Sequence, residues 1–169
     1  STDYAANEPA SYVVSWSSSN VSTCTGAGGL TGQTQRNGQI TINAQMAGTY
    51  DYSMICSNGV TAVSDTRRAV IYALPAIDVT VDNSHNPPAY SVPASYTVRW
   101  VASKGSVSCT GADDLVGRNS LSGSLPLTGV AAGTHKYSMT CNNGHGAVAT
   151  DSVTVSVLNP PTVDLKVNN

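Results

Sequence analysis

Four cysteines fall into two pairs with one internal spacing: Cys24 and Cys56 lie 32 residues apart, and so do Cys109 and Cys141. The sequence around them repeats as well. Pro9-Ala10-Ser11-Tyr12-Val13-Val14-Ser15-Trp16 returns as Pro93-Ala94-Ser95-Tyr96-Thr97-Val98-Arg99-Trp100 at an offset of 84. Cys24-Thr25-Gly26-Ala27 returns as Cys109-Thr110-Gly111-Ala112, and the run from Ala47 to Cys56 returns from Ala132 to Cys141, both at an offset of 85. Independent drift does not preserve such spacing, so the chain is two copies of one module of about 85 residues, a normal domain size.

A core that small benefits from a covalent staple. Four cysteines allow three pairings, and the duplication selects the one that closes each module separately, Cys24 with Cys56 and Cys109 with Cys141. Neither copy has a closely spaced Cys pair or a nearby His at zinc-ligand spacing, and the Cys-x-x-Cys of redox catalysts is missing, so no metal and no cofactor is expected. Closing each loop stabilises by roughly 3–4 kcal/mol on the chain-entropy account. Stable disulfides imply an oxidising setting: periplasm, cell surface or outside the cell.

Composition then sets the fold class. There is one glutamate, Glu8, with eight leucines, twenty valines and no phenylalanine, so strong helix formers are scarce and β-branched residues abound. Period-two alternation follows. Tyr12, Val14 and Trp16 share one strand face; Tyr52, Met54 and Cys56 share another, and Tyr137, Met139 and Cys141 repeat it, so the cysteines point inward. Polar Lys136, Ser138 and Thr140 mark the outer face. Further strands are expected from Gly38 to Gln45, Ala62 to Leu74, Ile77 to Asp82, Ser124 to Thr128, Ala147 to Leu158 and Val163 to Val167. Short strands at this spacing read as β-sandwiches.

Charge excludes other classes. Eight scattered cations and a net charge of −2 supply no basic stripe, so neither nucleic acid nor an anionic membrane surface is an expected partner. With 40% hydrophobic residues the chain is not a charge-disordered one. No stretch approaches the ~18 apolar residues of a membrane span. STDYAANEPASY has neither a basic nor an apolar leader region, so the expectation is a signal peptide already removed or an internal portion of a longer protein.

VVSWSSSNVSTCTGAGG and GTYDYSMICSNG resemble the tandem immunoglobulin-like repeats of bacterial secreted and surface proteins, and the likeness covers nearly the whole chain, twice. It implies two all-β immunoglobulin-like sandwiches, each with one internal disulfide. One departure stands out. Antibody-type domains place Cys on strand B and Trp on strand C, whereas here Trp16 precedes Cys24 and Trp100 precedes Cys109. If the second cysteine lies on strand F, the bridge joins neighbours in one sheet and does not pin two sheets together.

The ends are out of phase with the modules. Pro161-Thr162-Val163-Asp164-Leu165-Lys166-Val167-Asn168-Asn169 matches Pro75-Ala76-Ile77-Asp78-Val79-Thr80-Val81-Asp82-Asn83 at an offset of 86. In mid-chain that strand opens a module; at the end it opens nothing, and Ser1 begins a module without it. The expected organisation is therefore residues 1–74 as a first domain lacking its own first strand, 75–160 as a second, and 161–169 as the first strand of a following or neighbouring domain. Val163, Asp164, Leu165, Lys166 and Val167 become the candidate inter-module strand. The proline-fixed joints Leu74-Pro75 and Asn159-Pro160-Pro161 imply stiffness.

No enzyme constellation is legible. His85 and His145 fall in turn-like stretches, and His135 takes the place of Tyr50, with no nucleophile elbow in sight. Asp113-Asp114 lacks the pattern of a calcium loop. Asn20-Val21-Ser22 matches a glycosylation sequon by chance, and Lys104, Lys136 and Lys166 do not recur as isopeptide positions would. Tyr4, Tyr50, Tyr72 and Tyr90 can offer stacking faces to sugars or a host surface. The function expected is a structural repeat unit of a bacterial extracellular filament, stalk or large adhesin, partnered head-to-tail with further copies through a continuous chain or exchanged strands. A carbohydrate-binding module of a secreted polysaccharide-active enzyme is the alternative.

Overall fold

The structure, a computed structural model, describes residues 3–167. It divides into two compact units, Ser1–Leu74 and Pro75–Asn169. The first unit contains β1 (Tyr4–Asn7), β2 (Ala10–Trp16), β3 (Thr23–Gly28), β4 (Gly38–Gln45), β5 (Gly48–Ser57) and β6 (Ala62–Tyr72). Its sheets run β1-β6-β5-β3 and β2-β4, with β1 parallel to β6 and the other pairs antiparallel. The second unit contains β7 (Pro75–Val81), β8 (Tyr90–Ser91), β9 (Ala94–Lys104), β10 (Ser108–Asp113), β11 (Ser122–Val130), β12 (Gly133–Asn142) and β13 (Val148–Leu158). Its sheets run β8-β13-β12-β10 and β11-β9-β7.

Both units are two-layer sandwiches whose inner faces follow the alternation. On β5, Tyr52, Met54 and Cys56 are buried; on β12, so are Tyr137, Met139 and Cys141. Ser138 departs from its expected outer place. It is 6% exposed because its hydroxyl donates to the Asp113 carboxylate, which satisfies the group and allows it to be covered.

Cys24 stands directly opposite Cys56, and Cys109 opposite Cys141, with Cα atoms 4.0 Å apart in each pair. Each disulfide therefore bridges adjacent strands within one sheet, as the order of Trp and Cys implied. Tyrosines tie the layers together. Tyr12 on β2 and Tyr52 on β5 share a hydroxyl hydrogen bond of 2.7 Å, and Tyr96 and Tyr137 repeat it at 2.8 Å. Burial, then the partner hydroxyl, pushes Tyr12 and Tyr137 above the ordinary phenol range.

The tryptophans are fixed alike. Trp16 Nε1–H donates to the Gln35 carbonyl at 2.9 Å and Trp100 Nε1–H to the Ser120 carbonyl at 3.0 Å. Each indole lies so close over a glycine, Gly38 or Gly123, that a Cβ there would run into the ring. Glu8, the lone glutamate, accepts the Ala47 and Leu74 backbone N–H groups and closes the end of the first sandwich.

One expected strand does not form. Residues 161–167 adopt no strand and pair with none of the described strands, and Val163, Leu165 and Val167 stand 95%, 89% and 95% exposed. The alternation is there, but an extended segment becomes a strand only when another edge satisfies its backbone groups.

Candidate functional site

The two units differ in one strand. In the second, β7 pairs along β9, setting Val79 opposite Trp100 and Val81 opposite Val98. Val79 and Val81 are 0% exposed and complete a core with Trp100, Val98, Val153 and Val155. The Val79 N–H donates to Asp151 Oδ2 on β13 at 2.7 Å, so a carboxylate of the opposite sheet fixes the strand.

In the first unit β2 pairs with β4 alone among the described strands. Its other edge faces a cleft toward β6, seen as two adjoining hollows of about 330 and 370 Å³. They share Val14, Ser15, Tyr52 and Arg67. Tyr12, Val14 and Trp16, whose counterparts are buried, are here only partly covered.

The cleft is not wholly apolar. Register places Asp65 opposite Met54 and Arg67 opposite Tyr52, the positions taken by Asp151 and Val153 in the second unit. Arg67 Nη1 lies 2.6 Å from Asp65 Oδ1, the two side chains being 48% and 66% exposed. Sequence reading missed this carboxylate. The only signal for it was the recurrence of Asp65 and Asp151 at the offset of the terminal strand.

The other singled-out residues have structural surroundings. Tyr4 on β1 packs its ring 4.6 Å from that of Tyr12 beside the cleft. The Tyr50 hydroxyl donates to the Met46 carbonyl at 3.0 Å, and His135 Nε2 makes the matching contact to the Ala131 carbonyl at 3.1 Å. Tyr90 donates its hydroxyl to Asp82 and packs against Tyr96; burial first, then that carboxylate, pushes its phenol up to about 12. Tyr72 ends β6 opposite Asn7, so the four tyrosines sit on four different elements. Asp113 accepts from Ser138 and Lys136, which hold its carboxyl below the usual carboxylate range, while Asp114 lies 3.4 Å from His135.

His85 lies 2.9 Å from Asp78, and with Asp151 they bring three potential ligand atoms within 4.8 Å of one another. Asp151 already accepts the Val79 N–H, and Asp78 and His85 meet in an exposed contact at the rim. Among the described residues, no helix is long and apolar enough to cross a membrane.

No family model matches the sequence, and no curated protein matches it. Solved structures do resemble it in fold. The N-terminal eight Ig domains of Down Syndrome Cell Adhesion Molecule align with a TM-score of 0.58 at 14% identity, over 95% of this chain and 24% of that one. The N-terminal four Ig domains of a Dscam1 isoform align at 0.50 and 12% identity, over 92% and 43%. The amphioxus IgVJ-C2 molecule aligns at 0.53 and 14% identity, over 90% and 99%. This chain thus spans less than half of either Dscam fragment. It consists of two immunoglobulin-like β-sandwiches, each with one disulfide, of the sort that persists in oxidising compartments.

Proposed function

We propose that this chain is a structural repeat unit of a bacterial extracellular filament, stalk or large surface adhesin, joined head-to-tail to further copies. Its work is mechanical: it spans distance, resists proteolysis and shear, and displays something carried elsewhere, without catalysis of its own. One observation carries the reading. The cleft that β7 fills in the second sandwich is open in the first, while residues 161–167 repeat the β7 sequence and lie unpaired.

A unit with one open cleft and one matching strand makes unlike contacts at its two ends. Such association is heterologous and extends into a line without closing. Copies can be linked through a continuous chain or through exchanged strands. The in-sheet disulfides and the immunoglobulin-like fold suit an extracellular location.

Negative-stain microscopy of native material tests the reading: beaded filaments or stalks are expected, and discrete particles would overturn it. Denaturing electrophoresis without reductant separates the two linkages. A band at the mass of one chain goes with exchanged strands, and a large covalent species with a continuous array.

A further inference from the structure

Resting on that reading, the geometry points to a particular joint: residues 161–167 of a second copy enter the cleft between β2 and β6 as an antiparallel strand on the free edge of β2, with Asp65 accepting the backbone N–H of Leu165. The occupant follows from the sequence, because the segment that fills the same cleft in the second sandwich is the one this segment copies. The register follows from the repeat offsets. Val79 opposite Trp100 becomes Leu165 opposite Trp16, Val81 opposite Val98 becomes Val167 opposite Val14, and Ile77 opposite Ala102 becomes Val163 opposite Ser18.

Alternation then sends Val163, Leu165 and Val167 inward, the three side chains now 89–95% exposed. Asp164 and Lys166, whose carboxylate and ammonium lie 3.0 Å apart, face solvent. The partly covered Tyr12, Val14 and Trp16 become core. Asp65 occupies the place of Asp151, whose Oδ2 accepts the Val79 N–H; Arg67 engages Asp65 through Oδ1, leaving Oδ2 for the incoming amide. Arg67 replaces buried Val153, so its stem lines the cleft while its guanidinium stays at the rim. Asn20 and Lys104, each four residues beyond the module's tryptophan, share a left-handed backbone, φ 57° and 54°.

The test uses the full chain at a concentration where sedimentation shows single copies, with a synthetic peptide of residues 159–167. Saturable binding is expected, with a blue shift of tryptophan emission from Trp16 and at least tenfold slower amide exchange across residues 13–18. A Leu165→Asp peptide should bind at least tenfold more weakly. Asp65→Ala in the chain should weaken the unaltered peptide several-fold while the protection of β5 and β12 stays as it was.

A single-copy chain that binds no peptide overturns the joint, as does a scrambled peptide that binds equally well or protection that falls elsewhere. So does native material whose β2 edge is protected only within one large covalent species, since the occupant is then a linked preceding segment. Filaments in native material without peptide binding would discard this joint and keep the fibre. Peptide binding with discrete particles alone would keep the joint and discard the fibre.

Discussion

The same strand face has two fates in this molecule. Tyr96, Val98 and Trp100 are 4%, 0% and 3% exposed, whereas Tyr12, Val14 and Trp16, identical residues in the same order on the same turn of the repeat, are only partly covered. The strand does not make the difference; the neighbour does. β7 brings two fully buried valines and a backbone edge. It also lengthens its partner: β9 runs on to Lys104 because residues 102–104 pair with β7, while β2 stops at its tryptophan. Burial belongs to the pair of layers, and a sequence pattern states only which side is available for it.

The contrast has quantitative consequences. The largest concerns Val79→Asp, which places an uncompensated charge at a fully buried site and should destabilise the second sandwich by at least about 4 kcal/mol. Hydrogen exchange should show β9, β12 and β13 losing protection while β5 and β6 keep theirs. Leu165→Asp at the matching but exposed position should alter the unfolding of single copies by less than about 0.5 kcal/mol. Equal effects would mean that the two positions are not counterparts.

Next come the tryptophans. Trp100→Ala should cost about 3–5 kcal/mol, as expected for a fully buried large aromatic. Trp16→Ala should cost about 2 kcal/mol or less while the cleft is open, because less area leaves water; denaturant midpoints measure both. Removing either cysteine pair, by contrast, should cost about 3 kcal/mol in each sandwich, since both loops have a sequence separation of 32.

The smallest effect is an acid response. Asp113 is held below its ordinary pKa by the Ser138 hydroxyl and then Lys136, so the stability it contributes is present above the unfolded carboxylate value near 4 and fades as pH falls through the lowered one. The first sandwich has Gly28 at this place, facing Tyr52 as Asp113 faces Tyr137. Asp113→Asn should therefore flatten the decline in Tm of the second sandwich alone between pH 4 and pH 2, measured by calorimetry.

The sandwiches, the disulfide pairing and the in-sheet position of the bridges were legible because repetition exposes spacing, and spacing encodes strand partners. Less visible were contacts between layers. The Tyr12–Tyr52 and Tyr96–Tyr137 hydroxyl pairs join strands some 40 residues apart, and no local periodicity marks them. The same holds for Asp151 reaching the amide of Val79, 72 residues away. Ser138 was misplaced because alternation assigns a face but not the partner that makes a polar side chain fit to bury. Residues 161–167 have the pattern of a strand without being one, since pairing depends on a second edge that a one-dimensional pattern cannot provide.

The in-sheet disulfides also set how far the protein can stretch. Pulled at Asp3 and Val167, an unfolded sandwich pays out chain only up to its first cysteine and beyond its second, because the bond carries the load across the loop. Each loop withholds its 32-residue separation from extension, about 110 Å per sandwich at roughly 3.4 Å per residue. Even fully unravelled under load, the chain pays out only the segments outside the two loops, so each disulfide fixes an upper limit to the length its sandwich can yield.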